Sequence, residues 1–301
     1  MDLRELRSFV ALAERGHFGA TAALLGISQP ALSKQIRQLE KQVGGRLFVR
    51  SRQGAELTEA GQLLLMDAQS LVRASDDWLD RARRTSLGQI GRIQIGFGFS
   101  ALMVVASAVA GFRKQYPAVE ISLTDMSSSR QVDALRKGTI QVGLVRLPVG
   151  KEFHQRKFLA DRMALVVPEN WEYGRPQSLA DCRDLPFVSL SHDMASGFYG
   201  HVMRLCEEAG FLPRVVQETT EFHTVMACVA AGIGVGVVSE SFLASRQAHE
   251  GVRVQPLHTP TAAWDIGAVW RKDNSSPLVN QFVRLLQQSV RATGKFGPAS
   301  A

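Results

Sequence analysis

Residues 20–50 read ATAALLGISQPALSKQIRQLEKQVGGRLFVR, and their reading decides how the rest of the chain is organised. Residues 21–25 form a short Ala/Leu-rich helix halted by Gly26, whose missing Cβ permits the left-handed backbone of a sharp inter-helix turn. A second helix follows at once. Ser28 or Gln29 caps its open amides, and Pro30 falls in the first turn, where a missing N–H costs nothing. Leu32, Ile36, Leu39 and Val43 are spaced four, three and four, so one apolar stripe faces a core. The opposite face carries Gln29, Ser33, Lys34, Arg37 and Lys41. Amides and cations pair with base edges in a DNA major groove, and short hydroxyls reach phosphates. An ordinary solvated helix face looks the same when taken alone, but it leaves the partner helix, the glycine turn and the following hairpin unexplained. Gly44 and Gly45 end the helix. Residues 47–49 and 55–57 then pair across a turn at Arg52, Gln53 and Gly54. This basic wing sets Arg50 and Arg52 beside the DNA backbone or in the minor groove.

The pattern SQPALSKQIRQLEKQVGGRLFVR, followed by LTEAG at residues 57–61, resembles the N-terminal signature of the LysR-type transcriptional regulators. One departure is GHFGATA at residues 16–22, where many members have Ser before the Phe, so His17 leaves the cap of the second helix open. The resemblance implies an all-α-rich winged helix-turn-helix DNA-binding domain over residues 1–58, with Ser28, Gln29, Pro30, Ser33, Lys34, Arg37, Arg50 and Arg52 at the DNA. A linker and dimerisation helix with its hinge occupies residues 59–88. An α/β effector-binding domain follows over residues 89–301, two-lobed like the periplasmic binding proteins. The partners implied are a double-stranded DNA operator with inverted half-sites, a small anionic effector, RNA polymerase, and further copies of the chain in a homodimer or homotetramer.

Composition sets looser bounds. A chain of 301 residues is long enough for two or three units that each bury a core. It is 45% hydrophobic and 21% charged, as ordinary soluble proteins are. The opening MDLRELRSF lacks the basic flank and apolar run of a signal peptide. The longest small or apolar stretches, residues 101–112 and 225–238, fall short of the roughly 20 residues a membrane span requires. A cytoplasmic protein is expected. The net charge of +7 suits nucleic acid or an anionic ligand. Residues 1–58 hold nine basic residues against five acidic ones, so placement on the second helix and wing matters more than the total.

Along the chain, residues 2–14 form a first helix with Leu3, Leu6, Val10 and Ala13 on one side. Thr58 caps a long helix over residues 59–85, with Glu59 near its positive end. Leu64, Leu71 and Trp78 recur on it every seven residues, with small Gly61, Ala68, Ser75 and Ala82 between them, a coiled-coil-like seam. Such a stripe can pack on its own domain, but charged residues surround it, and the resemblance implies pairing with a second subunit. Residues 86–92 form a hinge. From Ile93 strands and helices alternate, with strands read at residues 93–96, 119–124, 141–145 and 164–167, which argues for largely parallel sheets. By the resemblance, lobe 1 takes residues 89–161 and 266–301, and lobe 2 takes residues 162–265.

Open α/β sheets bind ligands at the carboxyl ends of strands, where helix N-termini present N–H groups. Ser100 follows the first strand of the second half; Ser127, Ser128 and Ser129 follow the next; Ser196 and Thr219 or Thr220 are placed similarly across the cleft. Each alone reads first as a helix cap, but several converging on one crevice argue for an anion site. The segments GFGFSA, DMSSSRQVDALRKG and QVGLVRLP resemble the effector lobes of family members that sense intermediates of aromatic-compound breakdown. By that match Ser100 and Ser128 contact a ligand carboxylate. Arg146 is either a further contact or an interlobe ion pair, and Phe198 and Tyr199 either cover the ligand's apolar part or pack the lobe.

The glycines of AGIGVG at residues 231–236 follow a helix and precede a strand, the reverse of a dinucleotide fingerprint. His192, His201, His223, His249 and His258 are scattered, without a nucleophile motif or paired carboxylates. No catalytic, metal or cofactor site is expected. Cys182, Cys206 and Cys228 show no CxxC or metal spacing. Cys206 and Cys228 lie in apolar helical runs and read as buried, inert thiols. The alternative is a redox-sensing regulator of the same architecture, switched by a disulfide, as some family members are. A purely architectural DNA binder would leave the second half without a purpose.

Overall fold

In the computed structural model, which describes residues 2–51, 54–174, 176–244 and 250–293, the first helix α1 (Leu3–Arg15) opens on a reciprocal cap. Asp2 accepts from the Arg4 amide, and the Glu5 carboxylate accepts from the amide of Asp2. Its buried side is Leu6, Phe9 and Leu12. The expected face of Leu3, Leu6, Val10 and Ala13 is therefore rotated: Leu3 is 41% exposed, because the aromatic Phe9 turns the helix to bury its larger area. Helix α2 (Phe18–Leu24) begins before the expected Thr21. His17 precedes it without a side-chain cap, and the Thr21 hydroxyl donates back to the His17 carbonyl.

Helix α3 (Gln29–Val43) is capped by Ser28 Oγ, which accepts from the Ala31 amide at 3.3 Å, and it ends at Gly44 in the left-handed conformation, φ 80°. Leu32, Ile36 and Leu39 are buried, but Val43 is 46% exposed, since the helix stops there and the stripe runs off the core. The wing is an antiparallel pair, β1 (Phe48–Ser51) and β2 (Gly54–Leu57), with Phe48 opposite Leu57. Phe48 meets Phe9 edge-on at 5.5 Å. Side chains buried this fully contribute about 1.5–3 kcal/mol each, so α1, α3 and the wing form one core. Arg52 lies outside the described residues, as does the side chain of Arg50. Helix α4 (Glu59–Ser86) starts where Thr58 Oγ accepts from the Gly61 amide. Gly61 is needed there: a Cβ would stand 2.3 Å from the Leu47 carbonyl oxygen.

These elements form one compact unit, Met1–Ser86, and Leu87–Ala301 form another. The second unit runs β3 (Gly91–Phe97), α5 (Leu102–Gln115), β4 (Val119–Asp125), α6 (Ser128–Lys137), β5 (Val142–Arg146) and β6 (Phe153–Pro168). It continues with β7 (Pro186–Leu190), α7 (His192–Glu208), β8 (Arg214–Thr219), α8 (Phe222–Ala230), β9 (Val235–Ser239), α9 (Glu240–Leu243), β10 (Val252–Pro256), β11 (Ala263–Arg271) and α10 (Pro277–Thr293).

The strand order is β4-β3-β5-β11-β6-β9-β7-β8, with β10 also on β6. Instead of largely parallel sheets, the pairing is mixed. β3 is parallel to β4 and β5, and β7 to β8 and β9, but β6 is antiparallel to β9, β10 and β11. The cause is the long strand β6, of which the sequence reading finds only residues 164–167. Residues 153–162 pair with β11, and residues 163–168 pair with β9 and β10. One strand thus serves both halves of the sheet. Helix α10 packs on α5, where Phe282 meets Phe112 at 5.7 Å.

Candidate functional site

In the N-terminal unit the outward face of α3 presents Ser28, Gln29, Pro30, Lys34, Arg37 and Lys41 to solvent, with Ser33 half-buried. Arg37 Nε donates to the Ser33 carbonyl at 3.1 Å, which holds its guanidinium along the helix. The helix is pinned from behind by polar contacts. Ser8 on α1 donates to Gln35 Oε1, and Gln42 donates to Glu5 Oε2 at 3.3 Å. Glu40, which the sequence reading does not single out, accepts from the Leu47 and Phe48 amides at 2.8 and 3.2 Å. A carboxylate on the last turn of α3 thereby ties that helix to the first strand of the wing. Only the tertiary turn at Gly44 reveals it.

On α4, Leu64, Leu71 and Trp78 are 37%, 49% and 61% exposed, whereas Gly61 and Ala68 are buried against the unit's own core. The small residues and the large ones therefore lie on different sides of the helix, and the large apolar stripe is left uncovered in a single chain.

The second unit holds a cavity of about 390 Å3. Its walls are the ends of strands: residues after β3 and β4, Arg146 ending β5, Leu190 ending β7, the turn before α8, and Ser239 ending β9. Ser100, Ser127, Ser128, Arg146 and Phe198 line it together. Thr219 does not. It is buried and its hydroxyl donates to the Glu221 carbonyl at 3.3 Å, while its neighbour Thr220 lines the cavity; successive residues at a strand end face opposite ways. Tyr199 instead packs edge-on against His192 at 5.5 Å. The side chain of Ser196 is outside the described residues.

The serines differ in what they offer. Ser128 Oγ accepts from the Arg146 amide at 3.1 Å, so its own proton remains for another acceptor. Ser100 donates its proton to Asp161 Oδ2, and Asp161 Oδ1 is held by the amides of Arg162 and Ser241 at 2.9 and 3.1 Å. Ser100 therefore turns a lone pair, not a donor, towards the cavity, contrary to the expectation that it holds a carboxylate. Ser127 Oγ lies 3.1 Å from Ser129 Oγ. The Arg146 guanidinium sits 4.2 Å from the Trp264 ring centre and 5.1 Å from that of Phe198, and it donates to the Gly197 carbonyl at 3.3 Å. Burial lowers its pKa to about 10, against the opposing pull of Asp161. It stays cationic at neutral pH, held by two rings and a carbonyl rather than by a salt bridge.

Two carboxylates also face the cavity, at its mouth: Asp125 ending β4 and Glu221 ahead of α8. Desolvation, and then the Glu221 charge, raise the Asp125 pKa above its ordinary value. Elsewhere, Cys182 and Cys206 are fully buried, and desolvation pushes both thiols up to about 12. Cys228 is half-buried rather than buried. Thiols held protonated in a core are poor nucleophiles, which counts against the disulfide-switched alternative. Among the described residues no group of His, Cys, Asp and Glu is arranged to hold a metal, and no helix is long and apolar enough to cross a membrane.

A helix-turn-helix unit with a polar, cationic reading face, followed by a long helix and an α/β unit with a cavity at its strand ends, defines a DNA-binding regulator with an effector domain. Comparison with known proteins agrees. The family model described as "LysR substrate binding domain" matches residues 87–291, and that described as "Bacterial regulatory helix-turn-helix protein, lysR family" matches residues 3–62. The chain belongs to the LysR family of DNA-binding transcriptional regulators, and it is not an enzyme. It is 34% identical to the HTH-type transcriptional regulator AlsR of Bacillus subtilis, with 95% of each chain covered. It is 31% identical to ClcR of Pseudomonas putida over 95% of this chain and 98% of that one. Full-length CbnR, solved in complex with its target DNA, matches with a TM-score of 0.72 at 26% identity, over 96% of this chain and all of that one.

Proposed function

We propose that this regulator responds to a small, carboxylate-bearing and partly aromatic effector bound in the cavity of its second unit. One observation carries the reading: the cationic Arg146 and the proton-bearing hydroxyl of Ser128 face the same space as the rings of Phe99, Phe198 and Phe222. The N-terminus of α6, where Ser128 stands, adds its dipole. Aromatic walls with a few convergent polar groups are the ordinary make-up of a small-molecule site. AlsR and ClcR are similar to this chain to nearly the same degree and bear different names, so the effector class is read from the cavity alone.

At the DNA, Gln29, Ser33, Lys34 and Arg37 read base edges, while Ser28, Pro30, Arg50 and Arg52 contact the backbone. The uncovered stripe of Leu64, Leu71 and Trp78 on α4 pairs with that of a second copy, and a two-fold dimer matches an operator of inverted half-sites. Effector binding favours one closure of the cavity over another and so shifts the regulator between states.

A thermal-shift screen of small carboxylic acids, followed by calorimetry of wild type and Ser128→Ala, tests the site. A hydrogen bond to a charged group is worth about 1.5–3 kcal/mol, so the variant should bind the acid at least an order of magnitude more weakly. Operator binding without effector should persist. Equal affinities would mean that Ser128 serves only to hold the Arg146 amide and that the effector binds elsewhere.

A further inference from the structure

We propose that the effector is a small zwitterion of the amino-acid type, with an ammonium group beside its carboxylate, and that Asp125 and Glu221 select for it. This rests on reading the cavity as the effector site. Apart from Ser127, Thr220, Ser239 and His223, which can act as donor or acceptor, the polar groups around the cavity are of two kinds. Arg146 and Ser128 are donors. Ser100 has spent its only proton on Asp161 and offers lone pairs, and the carboxylates of Asp125 and Glu221 are acceptors when ionised. A simple acid satisfies the first set and worsens the second. Asp125 stands three residues before Ser128, so an anion held at Ser128 lies close to the Asp125 charge as well.

The two carboxylates come from opposite halves of the sheet, Asp125 from the end of β4 and Glu221 from the turn before α8. They already repel one another, and this repulsion is one cause of the raised Asp125 pKa. Among the described residues, the other charged or titratable groups of the cavity wall are Arg146 and His223, with Asp161 behind Ser100. An ammonium placed between Asp125 and Glu221 supplies the missing donors and removes the repulsion between the two halves, so ligand charge and closure become one event. A dication is disfavoured at the other end, where the half-buried Arg146 guanidinium repels a second cation. The rings of Phe99 and Phe222 on the same wall suit an apolar body in the ligand.

The test is calorimetry on the full chain with the proteinogenic amino acids and their deaminated counterparts, such as L-phenylalanine against 3-phenylpropanoate and L-leucine against 4-methylpentanoate. At least one amino acid should bind ten-fold or more tightly than its deaminated partner. The Asp125→Asn, Glu221→Gln double variant should lose that preference, while Ser128→Ala should weaken both members of the pair alike. Both carboxylates are exposed at the mouth and repel one another, so the double variant should melt no lower than the wild type in the absence of ligand. Tighter or equal binding of the deaminated acids, weakened by Ser128→Ala, would overturn the zwitterion and leave the carboxylate site standing. Absence of binding by every amino acid would overturn the zwitterion as well. Preference for an amino acid that survives the double variant would remove Asp125 and Glu221 as its cause.

Discussion

Glu40 offers the sharpest test of how the DNA-reading helix is held. Its carboxylate accepts from the amides of Leu47 and Phe48, two residues whose side chains are almost wholly buried. In Glu40→Ala both amides lose their acceptor. Two hydrogen bonds to a charged group would be worth about 3–6 kcal/mol at full strength. Glu40 is itself half-exposed, so water enters the vacated space and the loss should come to about 2–3 kcal/mol. For a unit of this size each kcal/mol moves the melting point by about 4–8 °C, so the transition of the N-terminal unit should fall by about 10–20 °C. Glu40→Gln keeps a carbonyl acceptor and should lose only about 1 kcal/mol. Calorimetry of the full chain reads the melting point, and hydrogen exchange reads the amides of residues 47 and 48 directly. Specific operator affinity should fall for the Ala variant and largely survive in the Gln variant, since the wing then keeps its place beside α3. Unchanged exchange at residues 47 and 48 in Glu40→Ala would refute the strut, whatever happened to DNA binding.

Three other outcomes are expected. Leu71→Asp places a charge in the apolar stripe of α4 and should halve the mass seen in light scattering and weaken binding to a full operator; an unchanged mass would show that α4 is not the contact between copies. Cys182 and Cys206, buried and held protonated, should resist a thiol reagent at pH 8 in the folded chain and react on denaturation, and peroxide should leave operator binding unaltered; rapid labelling of either would revive the redox alternative. Burial of His201 against Trp264, 5.5 Å between ring centres, lowers its pKa below the ordinary 6.5. Such a group contributes stability above the unfolded pKa, and this is lost as pH falls through 6.5 towards the folded value. The melting point of the second unit should therefore drop more between pH 7.5 and 5.5 in wild type than in His201→Gln, and identical slopes would exclude His201 as a source.

The reading helix, its cap, its glycine stops and the polar face it shows were all legible from residues 20–50, because a helix of this kind is decided by contacts three and four residues apart. The strands β3, β4 and β5 and the serines at their ends were legible for a similar reason: apolar runs and turn residues are local signals. What each of these groups does was not. Ser100 and Ser128 look alike in sequence, yet one gives its proton to Asp161, 61 residues away, and the other accepts the amide of Arg146. Thr219 and Thr220 differ only in which way a strand end points. Residues 153–162 hid most of β6, since four exposed polar residues in a row, His154 to Lys157, break any apolar run or alternation. The antiparallel turn of the sheet was hidden with them. The sequence by itself determined the helices of the first unit and the polar, cationic face of α3. Only the tertiary structure decided which donors and acceptors meet in the cavity, because a proton's partner and a carboxylate's neighbour are chosen by segments far apart in the chain.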